Sequence, residues 1–436
     1  MLKYLAILMT GVLTSFYFFP FEFAFLPGAN TKMVMAGLSL VVLGIQLGQK
    51  RNAAMNKGFF VLTILALLVS LAGLIAVSYN ETYDYTYATY VISMWVWLGG
   101  AYLTINCMRW VHQMVSVKLI MHYLIGVCFA QCLLALMIDA SVPFKELVNT
   151  YIAGFDWVQF DQLNKGNRLY GIGATLDVAG LRFSAVLSMI AYLCTQEGIR
   201  INNRQIVIYL ITFCFIAIVG NMMARTTTLG VFLSLVYWMY AYYKNKECKK
   251  VWMWLVVMVG VTVLVSTYLY HTNENIKEDI RFAFEGFFSL WEKGKWSVSS
   301  NNILKDMFIF PENMKTWIVG DGYFENPFYK DPYYIGPVTG GYYMNTDVGY
   351  LRFIFYFGLI GLILFIVFFA KSAQVCIKRF TDYKILFLML LAVNYICWFK
   401  VSTDIFLVFA LFLCISKEEN DEWNCYDCNW RGAFRL

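Results

Sequence analysis

The sequence predicts an all-α polytopic membrane protein, a bundle of about twelve transmembrane helices interrupted by one large outer loop. Three observations carry that expectation. Hydrophobic residues make up 60% of the chain and charged residues only 14%, against about a quarter charged in an ordinary soluble domain. Apolar runs of about 20 residues recur, each long enough to cross a hydrocarbon core of about 30 Å. Lysines and arginines fall on alternate connections between those runs, the pattern that fixes orientation in a bilayer.

Taken in order, five spans precede the first long loop, at residues 4–25, 32–48, 59–78, 88–107 and 119–139. Four more follow at 176–195, 205–222, 227–243 and 251–270. A long span at 348–370 leads to a short pair, 385–398 and 404–415, whose turn at 400–404 is either an outer turn or the tip of a re-entrant hairpin. Lys3 precedes the first run as in a signal peptide, but the run is too long and no small-residue cleavage pattern follows before Asn30, so an uncleaved span is expected.

Segments 49–58, 108–118, 196–204, 244–250 and 371–384 carry 3, 2, 2, 4 and 4 Lys or Arg residues, whereas 79–87 carries none. The positive-inside rule then puts both termini in the cytoplasm. The net charge of +6 is a consequence of topology and does not point to nucleic acid. The chain reads as a single integral membrane domain, 1–436, with outer loops at 140–175 and 271–347 and a cytoplasmic tail at 417–436. None of the 11 cysteines lies in the large loop, so disulfides do not hold it. Cys425 and Cys428 form an isolated CxxC, a weak metal or redox signal beside the plainer expectation of two unpaired thiols.

The large loop opens with a charged stretch, 271–281, that continues as an amphipathic helix through Phe282, Phe284, Phe287 and Leu290 and is expected to lie in the outer interface. Its second half, 319–347, holds five of the thirty glycines and reads as an ordered but irregular lid. Tyr323, Tyr342 and Tyr343 are among its many aromatics. Such rings suit sugar faces, and they equally suit an aromatic belt at the headgroup level.

Charges at the outer helix ends narrow the chemistry. Arg168 and Asp177 flank the start of the sixth span, Arg182 lies inside it, Arg225 occupies the turn after the seventh, and Arg352 lies inside the tenth. An arginine at the bilayer centre costs roughly 2.5 to 3.5 kcal/mol on insertion scales, so Arg182 and Arg352 should face the bundle interior and an anion. Asp177 and Asp347 are five residues from them, about 140° around a helix, which makes same-helix pairing poor. Pairing between helices stays open. The functional alternative is a diphosphate, because guanidinium forks match phosphate oxygens and would stabilise a departing lipid pyrophosphate.

An acceptor hydroxyl also needs a base, and Asp347, at the start of the tenth span, is either that base or a helix cap. His271 is the outer histidine, whereas His112 and His122 suit structural roles. No outer carboxylates or histidines have metal-ligand spacing, so neither a metal nor another cofactor is expected.

Three segments carry a family resemblance: NRLYGIGATLDVAGLRFS at 167–184, MMARTTTLG at 222–230, and VGDGYF at 319–324 followed by NTDVGYLRFIFYFGLIG at 345–361. Together with the topology they resemble the Wzy-type O-antigen and capsular polysaccharide polymerases and the related O-antigen ligases. Where ligases commonly carry a histidine near the end of the large loop, this chain has Asn345, Thr346 and Asp347. That departure favours the polymerase.

The resemblance implies a GT-C-like, O-antigen ligase-like bundle in the bacterial inner membrane with its active site on the periplasmic side. It implies an inverting, metal-independent glycosyltransferase that joins undecaprenyl-diphosphate-linked oligosaccharides into O-antigen (lipopolysaccharide) or capsule. Arg225, Arg352 and Asp347 would be catalytic; Arg168, Arg182, Asp177, Asn345, Tyr323, Tyr342 and Tyr343 would bind substrate. Expected partners are the lipid bilayer, the lipid-linked oligosaccharide, and a chain-length regulator and flippase of the same pathway. The alternatives are a ligase acting on lipid A core or protein, and a flippase, although no internal repeat of the transporter kind is present.

Overall fold

In the computed structural model, residues 2–49, 57–153, 168–195, 203–244, 249–336 and 341–421 are described. The CxxC, most of the tail, the middle of the first outer loop and much of three basic connections lie outside them. The apolar runs fold as α1 (Leu2–Phe18), α2 (Thr31–Gly48), α3 (Lys57–Tyr79), α4 (Tyr90–His112) and α5 (Val117–Ala140), followed by a short α6 (Val142–Tyr151). Next come α7 (Leu176–Thr195), α8 (Asn203–Met223), α9 (Thr227–Lys244) and α10 (Lys249–Thr272). The large loop holds α11 (Glu274–Ala283), α12 (Glu285–Lys293), α13 (Ser299–Asp306), α14 (Met314–Ile318) and α15 (Pro327–Lys330). The chain then forms α16 (Gly349–Arg379), α17 (Lys384–Cys397) and α18 (Phe406–Leu413).

Eight of the described helices, α2, α3, α4, α5, α7, α8, α10 and α16, are long and apolar enough to cross a membrane. The protein is therefore an all-α, multi-pass membrane protein suited to a lipid bilayer. Each of the eight coincides with a predicted span, and α7 has the predicted bounds. The other four expected spans are α1, α9, α17 and α18. Helix α1 stops at Phe18 because Pro20 disfavours helical backbone at Phe19, and β1 (Glu22–Phe23) follows, pairing antiparallel with β2 (Ile152–Ala153). Helix α9 is 18 residues long but rich in tyrosine. Helices α17 and α18 have 14 and 8 residues, about 21 and 12 Å.

The chain forms two compact units. The first comprises Met1–Met35, Thr104–Trp296 and Ile415–Leu436; the second comprises Ala36–Leu103 and Ser297–Cys414. In the first, α7 is the central helix, buried continuously from Ala179 to Cys194. Small residues let its neighbours approach: a Cβ at Gly230 of α9 would overlap the Ser184 backbone, and one at Gly180 would overlap Thr226 Oγ1. Without water to drive association, such close packing and side-chain hydrogen bonds hold membrane helices together.

In the second unit α3 packs along α16, and every residue of α18 is buried. The turn joining α17 to α18 is fixed by Ile405 N–H donating to Asn394 Oδ1 (3.1 Å), and Tyr350 N–H donates to Trp398 O (3.1 Å). Helix α16 is not continuous. Phe357 and Gly358 leave helical geometry, with Gly358 at φ 67° and ψ −173°. The glycine turn after α14 fills the break: Asp321 N–H donates to Phe355 O (2.6 Å) and Gly322 N–H to Tyr356 O (3.1 Å). Carbonyls released by the break thus find donors inside the protein, as membrane depth requires.

Candidate functional site: an arginine pair on one aromatic ring

In the first unit, the turn between α8 and α9 is held from several sides. Thr227 Oγ1 donates to Gly220 O (3.0 Å), Thr228 Oγ1 to Asn221 Oδ1 (2.6 Å), Ser184 Oγ to Thr226 O (2.9 Å), and Gly230 N–H to Ser184 Oγ (3.1 Å). This lattice leaves Arg225 at the tip. Its Nε donates to Phe282 O (3.1 Å), its Nη2 lies 2.7 Å from the Glu285 carboxylate, and its guanidinium carbon is 4.0 Å from the centre of the Phe282 ring.

Arg168 arrives at the same ring, its guanidinium carbon 4.9 Å from the centre, placed by Leu169 N–H donating to Met222 O (3.3 Å) at the base of the turn. Its Nε is buried without a hydrogen-bond acceptor. Burial pulls the Arg168 guanidinium below its usual range, and the neighbouring Arg225 charge lowers it further. Burial also lowers Arg225, against the opposing pull of Glu285. Two desolvated cations side by side repel one another, and an anion binding between them would relieve both costs.

Arg182 and Asp177 belong to the same unit. Arg182, buried at 5% exposure, donates to Phe18 O at the end of α1 and rests 5.3 Å from the Phe19 ring. Asp177 sits in the first turn of α7, where the helix dipole favours a negative charge.

The remaining candidates lie in the second unit. Arg352 is buried between two rings, 3.8 Å from the centre of Phe324 and 3.3 Å from that of Tyr342. It donates to Phe324 O (3.0 Å) and Ser402 Oγ (2.6 Å), and Glu325 lies 3.8 Å away. The predicted anion at this arginine is thus met partly by a protein carboxylate of the lid. Tyr323 donates its hydroxyl to Asp331 (2.5 Å) and Tyr343 donates to Asp321 (3.2 Å). Burial and those carboxylates push both phenols up. Met344 and Asn345 both take left-handed backbone (φ 55° and 53°), a local strain just before α16. Asp347 precedes that helix, whose N-cap is Val348 without a side-chain capping bond.

Three groups central to these arrangements were given no role at a binding site in the sequence. Phe282 is the shared platform and Glu285 the counter-charge; both sit on the expected amphipathic segment, but their contacts are tertiary. Asp84 is almost fully buried and accepts both Phe324 N–H and Glu325 N–H at 2.8 Å, tying the lid to the α3–α4 connection. An acidic residue in a connection free of Lys and Arg was its only signal. Compared with protein-family models, curated proteins and solved structures, the chain matches none.

Proposed function

We propose that this chain is a membrane glycosyltransferase that extends a polysaccharide by transferring a glycan from a lipid diphosphate to the hydroxyl of a second lipid-linked repeat unit. One observation carries the proposal: Arg168 and Arg225 converge on Phe282 with Glu285 as the carboxylate that pairs with Arg225, a local excess of positive charge suited to a diphosphate. In the reaction, the acceptor oxygen attacks the anomeric carbon, the bond to the phosphate oxygen breaks with inversion, and the pyrophosphate leaves with the electron pair. The two guanidinium groups stabilise the charge that develops on it.

On the sequence argument alone, Asp347 takes the acceptor proton, and Asp347→Asn turnover tests it. Arg352, held by Phe324 O and Ser402, organises the lid in this proposal. Tyr342 contributes to that sandwich, while Tyr323, Tyr343 and Asn345 line the sugar path. Asp177 and Arg182 shape the start of α7. The distribution of Lys and Arg supports an inner-membrane protein with both termini cytoplasmic and the site periplasmic. Undecaprenyl diphosphate is the expected carrier lipid, and a chain-length regulator and flippase are the expected pathway partners.

The break in α16 favours a second class, a transporter of the same lipid-linked sugars, because interrupted helices often mark carrier sites. Here residues of the glycine turn occupy the break, which suits a fixed lid. Glycan analysis of cells lacking the protein separates the possibilities. Single repeats at the surface indicate a polymerase. Full chains retained on the carrier lipid indicate a ligase, and repeats trapped on the cytoplasmic side a flippase.

A further inference from the structure

Helix α12 is amphipathic the wrong way round for a helix in water. Phe287, Leu290 and Trp291 share one face at i, i+3, i+4 spacing and are all exposed, Trp291 at 90%. Trp296, just beyond the αL cap at Gly294, is exposed too and meets the Phe287 ring edge-on at 5.1 Å. On the opposite face Gly286 and Ser289 are buried and Glu285 pairs with Arg225 (2.7 Å), while the exposed Glu292 pairs with Arg281 (2.8 Å) along the edge of the helix.

The depth of the helix is also fixed. Phe288 stacks on Tyr270 in the last turn of α10, with ring centres 5.7 Å apart, and Arg281 donates to the Tyr270 hydroxyl (3.1 Å). Helix α10 is the least buried of the membrane-crossing helices, and its final turns expose Val263, Leu264, Val265 and Tyr268. The exposed face of α12 thus lies beside the last turn of α10, next to that helix's own exposed apolar residues. Tryptophan and phenylalanine beside the end of a membrane-crossing helix are the residues that anchor chains in the headgroup region.

We propose that α12 is an in-plane anchor whose Phe287, Leu290, Trp291 and Trp296 insert into the bilayer leaflet at the end of α10. A lipid surface fits this face better than a protein, because it lies beside the exposed apolar end of α10 and is flanked by the exposed Lys293 and Lys295, the cations that accompany headgroup-level anchors. The inference is independent of the glycosyltransferase reading: it needs only the membrane and the geometry of α10 and α12.

The test replaces Trp291 by p-benzoylphenylalanine (Trp291→p-benzoylphenylalanine), with Glu292→p-benzoylphenylalanine as the comparison on the polar, ion-paired edge of the helix. Both are irradiated in intact cells and after reconstitution into nanodiscs of phosphatidylethanolamine and phosphatidylglycerol. Retention of the wild-type melting temperature certifies each variant, and Trp291 is exposed enough to be replaced without loss of packing. Phospholipid-mass adducts at 291, and fewer of them at 292, are expected in both settings. Adducts to a second copy or to another protein at 291 overturn the proposal in favour of a protein-docking face. Absence of any adduct at 291 in a folded variant overturns it in favour of a face in water.

Discussion

Arg168 and Arg225 rest on the same ring, with guanidinium carbons 4.9 and 4.0 Å from the centre of Phe282. One comes from the segment leading into α7 and the other from the tip of the α8–α9 turn, while the ring belongs to α11. Glu285 offsets the charge of Arg225 (2.7 Å), and the second, desolvated cation beside it is the feature for which a bound anion offers an explanation.

Replacing the platform should weaken the pair without removing its charge. Cation–π contact contributes about 0.5 to 2 kcal/mol, so Phe282→Leu is expected to lower chain extension by roughly 2- to 30-fold. Arg225→Ala removes a charge-stabilising donor outright and should cost about 100- to 1,000-fold. Initial rates with lipid-linked repeat units in detergent measure both. Equal losses for the two variants would mean that the ring, not the charge, does the binding.

The interrupted helix predicts a stability effect. Gly358 lies in a region of backbone space that is nearly exclusive to glycine, and a Cβ there would overlap Ile318 O of the turn that fills the break. Gly358→Ala should destabilise the protein by about 1 to 3 kcal/mol or more, whereas Gly260→Ala, in α10, meets nothing within 4 Å and should cost little. Melting curves in the same detergent compare them.

Asp84 gives a more local prediction. Its carboxylate accepts two lid N–H groups, and Asp84→Ala leaves the buried Phe324 N–H and the half-buried Glu325 N–H without that acceptor, at about 1 to 3 kcal/mol for the buried one. The lid should open before the bundle does. Faster proteolytic cleavage within 319–347 at an unchanged rate elsewhere would show this; an unchanged pattern would assign the lid's fixation to Arg352 and its rings.

Asp279 of α11 gives a pH dependence. Burial raises its carboxyl to about 7, and the Asp139 and Glu278 carboxylates add to the rise. A carboxyl raised in the folded state binds its proton more tightly there than in the unfolded chain, so its contribution is complete below the ordinary carboxylate range. It is lost as pH rises from about 4 to about 7. The wild type should therefore melt lower at pH 7.5 than at pH 5. Asp279→Asn should remove much of that difference, and an identical pH profile in the variant would mean that another group sets it.

Much of the helix pattern was legible because it depends on local composition: α7 follows the apolar run at 176–195. Arg225 was legible as a charge at a tight turn. What escaped depends on distant partners. The stop of α1 at Phe18 follows from a single proline. The break in α16 arises because the turn at Gly320–Gly322 docks against it, and the glycines at 358 and 361 alone do not reveal that. Phe282 is one aromatic among many until the fold brings two arginines to it, and Asp84 becomes a lid anchor only through a contact 240 residues away.

The most direct test uses purified protein, lipid-diphosphate-linked repeat units and the double variant Arg168→Ala/Arg225→Ala, checked to melt like the wild type. The wild type is expected to convert single repeats into a ladder of longer chains with release of lipid pyrophosphate, and the double variant to leave them as single repeats. A full ladder from the folded double variant would contradict the assignment of the pair to the leaving diphosphate.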